Sequence, residues 1–312
     1  MKVCSFLPAV TQMIYDMGLD EYLGGVTFEC HKAALAEKPV VVRCKLEGHD
    51  YSSEEIDKIF SASKAQGNSL YYVDEELLST IAPDLILTQD VCEVCQIDTA
   101  CTAAAVARLK KQPTLISISP GNLEDVFKSA ITIAKAIGRE ENAYEYLSKL
   151  QKRLDLIIDR LRMYKAPLKK VMVMEWMQPV YNCGHWIPYQ IAHAGGVDML
   201  SNPGGDSIVT SWEKILKYNP EVLVIAPCGF DIHRSALEIN LLEQQAGWTE
   251  LRAVKEDNVF FADFDLFTQP SAGTLVDGID LLAALFHPEI FEVPKHLERK
   301  SKKMQSSVMV IE

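Results

Sequence analysis

A stretch of 25 residues without glycine or proline, from Glu140 to Tyr164, is the feature that most restricts the fold. As a helix it would be roughly 35 Å long, too long for a routine crossover in a small sheet. On both sides of it, short apolar runs alternate with amphipathic segments, which is typical of parallel sheets covered by helices on both faces. The chain therefore predicts an α/β fold with two Rossmann-like lobes and parallel sheets, joined by a long rigid backbone helix.

The boundaries of these parts follow from the glycines and prolines that end the predicted helices. We expect an N-terminal lobe at residues 1–122, a helical backbone at 123–166, a C-terminal lobe at 167–291 and a mobile tail at 292–312. The tail is expected to be mobile because it is rich in lysine and serine and lies at a chain terminus.

The two halves also share a repeated unit. Residues 75–87 and 212–224 each read as a short helix with an acid in its first turn, a proline turn at Pro83 or Pro220, and a buried strand. Similarity between two such units is common by chance, but together with the central helix it supports two related lobes.

Composition excludes several classes of protein. The net charge of −12 supplies no basic stripe for a nucleic-acid backbone, and no apolar run approaches the roughly 20 residues that span a bilayer. The first residues read as a buried strand rather than a signal peptide, since the apolar run is short and broken by Pro8. We therefore expect a cytoplasmic protein with reduced thiols, no membrane insertion and no nucleic-acid partner.

The ordered set of motifs resembles the helical-backbone class of periplasmic binding proteins, including the vitamin B12-, siderophore- and haem-binding proteins of ABC importers. It consists of residues 5–11 (SFLPAVT), 18–20 (GLD), 82–86 (APDLI), Gly184 with Gly195-Gly196, and 219–222 (NPEV). More narrowly, the chain resembles a branch without signal peptides that is labelled cobalamin-binding. This resemblance implies a small-molecule ligand, a corrinoid or related tetrapyrrole, held in a cleft between lobes that move little.

The resemblance also implies residue roles. Glu76 and Glu213 correspond to the acids that dock on the ABC permease, although acids favour helix N-termini in any case. Without export, such docking is not expected. Asp265 corresponds to an acid that faces the corrinoid. Aromatic residues expected near Thr88 and Ser207 are absent, which leaves the ligand's identity open.

Candidate ligand-binding residues follow the carboxyl ends of the predicted strands, where parallel α/β sheets bind their ligands. Several are aromatic, as burial of a flat macrocycle requires. Gly184 is expected to present His185 and Trp186 outward, with His185 as a candidate axial ligand to cobalt or iron. The full set is Pro8, Glu29, Trp176, Tyr181, His185, Trp186, Phe230, Asp231, Asp265 and Phe267.

Cysteine placement supports a rival hypothesis. Cys92 and Cys228 follow the repeated prolines at nearly equal distances, Cys95 completes a C-x-x-C with Cys92, and Cys30 follows the second strand. Thiolates favour zinc or an iron–sulfur cluster, so these four cysteines predict a metal site in the cleft and a metalloprotein with a redox or enzymatic role. The alternative is that they are packing residues. No nucleotide-binding or hydrolase motif is present, which favours a non-enzymatic binding protein.

Overall fold

The computed structural model describes residues 1–49, 51–66, 69–89 and 105–304. The chain forms two compact units. The N-terminal unit contains residues 1–149 and 271–273, and the C-terminal unit contains residues 150–270 and 274–312. Each unit is built around a mostly parallel sheet, so the predicted two-lobed α/β fold is confirmed.

The N-terminal unit contains a six-stranded sheet in the order β4-β3-β2-β1-β5-β6, in which only the β3–β4 pair is antiparallel. Its strands are β1 (Val3–Ser5), β2 (Leu23–Thr27), β3 (Val40–Cys44), β4 (Tyr71–Val73), β5 (Leu85–Thr88) and β6 (Thr114–Ser117). Its helices are α1 (Pro8–Asp16), α2 (Lys32–Glu37), α3 (Ser53–Ala65), α4 (Glu75–Ile81) and α5 (Leu123–Ile137), followed by the first part of α6 (Glu140–Met163).

The C-terminal unit contains a sheet in the order β10-β7-β12-β13-β14, with β8 paired to β7, and a separate β9–β11 pair. The strands are β7 (Lys169–Met177), β8 (Val180–Asn182), β9 (Gly184–His185), β10 (Gly196–Val197), β11 (Asn202–Pro203), β12 (Val222–Ile225), β13 (Val259–Ala262) and β14 (Ser301–Lys303). The helices are α7 (Ile187–His193), α8 (Trp212–Tyr218), α9 (Ile232–Leu237), α10 (Asn240–Glu243), α11 (Arg252–Lys255) and α12 (Ala272–Phe286).

The repeated unit seen in the sequence has the same local structure in both halves. The Asp74 side chain caps α4 by accepting from the Leu77 amide, and Ser211 caps α8. Each helix then ends at a residue in the left-handed conformation, Ala82 or Asn219, directly before the repeated proline. Proline cannot continue a helix, so the chain turns there into the buried strand that follows.

Helix α6 matches the predicted backbone helix to within one residue at its end. In the N-terminal unit, Asn142 donates to the Met17 carbonyl (2.9 Å) and the Tyr146 hydroxyl donates to Asp16 (2.8 Å). In the C-terminal unit, Arg153 donates to two aspartates of α12. Specific polar contacts therefore fix this helix to each unit.

The first part of the expected mobile tail contains a strand, while the mobility of the tail stays a prediction. Within residues 292–304, Ser301–Lys303 form β14, which pairs antiparallel with β13. Lys300 then lies beside Asp263 and Asp265, with N–O distances of 3.0 and 2.7 Å. Strand β14 consists of three polar residues, so no apolar pattern in the sequence marks it.

Candidate functional site

The carboxyl end of the C-terminal sheet gathers several of the predicted aromatic residues. Trp176 and Tyr181 are cross-strand neighbours on β7 and β8, and both are half-buried. The rings of Trp176 and Phe230 lie 5.1 Å apart, although Phe230 is itself buried. The Arg234 guanidinium lies over the Phe230 ring, 4.8 Å from its centroid. The rings of Trp176 and Phe230 are therefore in contact, and Tyr181 lies opposite Trp176; we refer to these three residues as the ring cluster. Binding of a ligand by them stays a prediction.

His185 lies on a short strand that the neighbouring backbone holds on both sides. Its amide donates to the Gly205 carbonyl (2.7 Å), and its own carbonyl accepts from the Gly204 amide (3.0 Å). The residue adopts a φ of +52°, a left-handed conformation that a non-glycine residue takes only when its surroundings impose it. Its side chain is 20% exposed, and burial lowers the pKa of the imidazole below its ordinary value despite Asp206 at 3.8 Å. His185 is therefore a neutral, partly exposed imidazole at neutral pH.

Glu175, near the end of β7, connects the loops around this histidine. One carboxylate oxygen accepts from the Gly184 amide (3.2 Å) and from the Ser207 hydroxyl, and the Glu175 carbonyl accepts from the Cys228 amide. Sequence reasoning missed this residue. The signal was available, since Glu175 is the one acid in the apolar run 171–177.

Trp186 is buried, which corrects the expectation that Gly184 presents both His185 and Trp186 outward. Its indole N–H donates to the Phe267 carbonyl (2.5 Å). Phe267 is fully buried. The partner for the indole N–H comes from a loop 81 residues later, which a local glycine signal does not reveal.

The predicted acids at the strand ends already have partners in the protein. Asp231 is exposed and caps α9, accepting from the Arg234 amide (2.7 Å). Asp265 accepts from Lys300, while its second carboxylate oxygen is buried without a hydrogen bond. Lys300 directly precedes β14, the strand that the sequence did not mark. These contacts give both acids a structural role, and binding of a ligand by either of them stays a prediction.

In the N-terminal unit, Pro8, Glu29 and Cys30 follow strands β1 and β2. Pro8 is buried at the first position of α1. Glu29 is half-buried, and burial together with the nearby Glu47 raises its pKa to about 7. The Cys30 thiol donates to the Thr11 hydroxyl (3.2 Å), and burial raises its pKa to about 11.

The predicted metal ligands are only partly described. Cys92 and Cys95 lie outside the described residues. Cys30 belongs to the N-terminal unit, where its thiol is buried and donates to Thr11. Cys228 belongs to the C-terminal unit and is half-buried. Within the described ranges, no three His, Cys, Asp or Glu side chains come together as a metal site. The four-cysteine site stays a prediction.

The predicted docking acids both lie on surfaces. Glu76 and Glu213 are exposed in the first turns of α4 and α8, as the repeat requires. Neither has a described ion-pair partner, so docking on a permease stays a prediction.

Comparison with known proteins gives the family. Residues 33–266, three quarters of the chain, match the family model described as periplasmic binding protein. The chain belongs to this family. A curated relative from Bacillus subtilis (strain 168), an uncharacterized ABC transporter substrate-binding lipoprotein named YvrC, is 23% identical over 305 residues, which cover 93% of this chain and 81% of the relative.

Solved structures show the same fold at low identity. A periplasmic haem-binding protein from Pseudomonas aeruginosa superposes with a TM-score of 0.71 at 16% identity, over 97% of this chain and 99% of that one. The periplasmic vitamin B12-binding protein BtuF of Vibrio cholerae gives a TM-score of 0.62 at 16% identity, over 92% and 96%. The family and fold that the sequence motifs suggested are thereby confirmed. In the part of the chain that the structure describes, no helix is long and apolar enough to cross a membrane.

Proposed function

We propose that this family member is the substrate-binding component of an ABC-type importer and that its ligand is a planar metal tetrapyrrole, either a corrinoid or a haem. The observation that carries the proposal is the ring cluster Trp176–Tyr181–Phe230 at the carboxyl end of β7, together with His185 on the separate β9–β11 pair. The Gly184 amide, next to His185, donates to Glu175, next to Trp176, and so ties the two together. Half-buried rings supply apolar stacking area for a macrocycle. The named ligands of the structural relatives, vitamin B12 and haem, support this class.

His185 is the residue that we assign to the metal of such a ligand. A neutral imidazole is the form that coordinates iron or cobalt, and burial keeps this imidazole neutral. The backbone hydrogen bonds that His185 forms with Gly204 and Gly205 fix its backbone on a defined strand, which reduces the ordering that binding requires. The Trp186 ring stacks on the imidazole of His185, with ring centroids 5.3 Å apart.

The test is a visible-absorption titration with haemin and with cobinamide. The wild-type protein should shift the spectrum of one of them and saturate at one equivalent. His185→Ala should abolish or move that shift, because the axial ligand is lost, while residual binding through the rings remains. Trp176→Ala should weaken binding without changing the spectrum of the saturated complex. His296→Ala, which removes an exposed histidine, is the matched control.

Identical spectra for the wild type and His185→Ala at saturation would remove the axial role. If neither compound binds, the tetrapyrrole class itself is wrong. An iron-hydroxamate complex should then be titrated, since another structural relative is described as an Fe³⁺-hydroxamate transport protein.

The sequence leaves two opposed cases for where the protein works. In the first, the chain is exported and docks on a permease through Glu76 and Glu213; Glu76→Lys and Glu213→Lys should then lower transport with the cognate permease, and Glu243→Lys is the control. In the second, the chain resides in the cytoplasm, and cell fractionation that finds it there would rule out docking. The metalloprotein alternative is tested by iron, zinc and sulfide analysis of anaerobically purified protein.

A further inference from the structure

The turn that joins α6 to β7, residues 162–168, exposes an unusual set of apolar side chains. Met163 is 68% exposed, Tyr164 57% and Leu168 68%. Pro167 between them is also exposed. Large side chains of this kind are normally scattered singly over a protein surface, so three within six residues form a patch that calls for an explanation.

Positive charge surrounds this patch. Residues 160–170 contain five cations and no acid, in a chain whose net charge is −12. Two of the five are engaged with rings: Arg160 lies 5.2 Å from the centre of the Phe291 ring, and Lys170 lies 4.5 Å from that of Tyr218. Within the described part of the protein, Arg162 and Lys165 form no ion pair, and both are exposed. The turn therefore presents unneutralised cations beside exposed apolar groups.

The backbone holds these side chains in a fixed arrangement. The Ala166 amide donates to the Leu161 carbonyl (2.9 Å) and the Lys165 amide to the Arg162 carbonyl (3.0 Å), which is the hydrogen-bond pattern of a Schellman helix end. Lys165 has a φ of +50° at the position where glycine is usual. The Lys169 amide then donates to the Gly195 carbonyl, so the turn is fixed to the helix at its start and to the residue before β10 at its end.

We propose that the 162–168 turn rests on an anionic lipid surface. Exposed methionine, tyrosine and leucine side chains enter the boundary between headgroups and acyl chains, and long basic side chains next to them reach the phosphates. Charge complementarity selects this occupant, because five cations without an acid coincide with exposed apolar side chains in one turn of an acidic chain. The inference goes beyond the proposed function and does not depend on the identity of the ligand.

The test is cosedimentation of the full chain, without ligand, with vesicles of pure phosphatidylcholine and with vesicles that also contain phosphatidylglycerol. The wild type should bind the anionic vesicles, and added salt should weaken this binding. Arg162→Gln combined with Lys165→Gln should lower the partition coefficient about thirtyfold, since two cations near an anionic surface are lost. Met163→Ser combined with Leu168→Ser should lower it at least about tenfold, because the lost side chains no longer enter the bilayer.

Matched controls come from exposed residues of the same unit outside the turn. Lys214→Gln combined with Lys217→Gln removes two exposed lysines of α8, and Leu237→Ser removes a leucine that is 62% exposed. Neither control should change vesicle binding. Equal partition to both kinds of vesicle, absence of binding, or equal loss in the controls would overturn the proposal. So would a concentration-dependent dimer that Met163→Ser and Leu168→Ser abolish, since a second copy of the chain would then cover the turn.

Discussion

Replacing Gly184 by alanine tests how the His185 strand is held. A Cβ at this position would lie 2.5 Å from the Gly205 carbonyl oxygen and 2.6 Å from the Ser207 nitrogen, both of them backbone atoms that no rotamer change can move. Ordinary contact begins near 3.4 Å, so the 205–207 backbone must retreat by about 0.9 Å. That shift weakens the bond from the Gly184 amide to Glu175 and the bond from the His185 amide to Gly205.

The expected cost is about 2–4 kcal/mol, from overpacking of 1–3 kcal/mol and two weakened hydrogen bonds of about 1 kcal/mol each when fully lost. Urea unfolding followed by tryptophan fluorescence measures this cost. Hydrogen exchange of the amides of His185 and Gly204 should accelerate, while the amides of β12 keep their protection. Gly121→Ala is the control, because its Cβ would meet only a side-chain oxygen at 3.8 Å.

A Gly184→Ala protein with wild-type stability and unchanged exchange at His185 would refute this reasoning. It would mean that the 204–207 loop moves freely and does not fix the histidine. The same loss of stability in Gly121→Ala would also refute it, since the effect would then not depend on the close approach.

Three further predictions concern groups outside the ring cluster. Burial raises the pKa of Asp198 to about 6, so the folded protein keeps a proton that the unfolded chain releases between about pH 4 and 6. The free energy of unfolding of the wild type minus that of Asp198→Asn should therefore fall by about 2 kcal/mol from pH 4 to pH 7 in urea titrations, and a flat or rising difference would contradict this. Arg153→Leu should lower the free energy of unfolding by about 2–3 kcal/mol, because Asp277 and Asp280 lose the cation that pairs with them. This cost should become smaller below pH 4, where the aspartates are protonated, and a pH-independent cost would contradict the prediction. In the folded protein at neutral pH, iodoacetamide should leave Cys30 and Cys183 unmodified, because burial raises the pKa of both thiols. It should modify the half-buried Cys228. Mass spectrometry that finds Cys30 modified first would contradict this.

The elements that the sequence predicted well are those in which several local signals agree. Helix α4 and strand β5 combine an acidic first turn, a proline boundary and an apolar run, and they occur where the repeated unit 75–87 predicts a helix, a turn and a strand. The small strands β9 and β11 have two residues each and depend on pairing with one another rather than on any periodic pattern. Such elements arise from contacts between distant residues and leave little trace in a single sequence.

The candidate site was predicted at the level of strand ends but not of side-chain direction. The topology of a parallel sheet places Trp176 and Phe230 at the same edge, and the structure brings their rings together. Whether a ring at such an edge faces solvent or the core depends on its neighbours. Trp186 is buried because a distant carbonyl accepts its N–H, and Asp265 is paired because β14 brings Lys300 beside it. Neither partner lies near these residues in the sequence.

Ligand binding itself is the central claim, and isothermal titration calorimetry of the wild-type protein tests it most directly. Haemin, cobinamide and an iron-hydroxamate complex should each be titrated separately under identical conditions. The account predicts that haemin or cobinamide binds at one equivalent, with a dissociation constant below about 1 µM, or roughly 8 kcal/mol of binding free energy. Heats of dilution alone for both tetrapyrroles would contradict it, whatever the result with the hydroxamate.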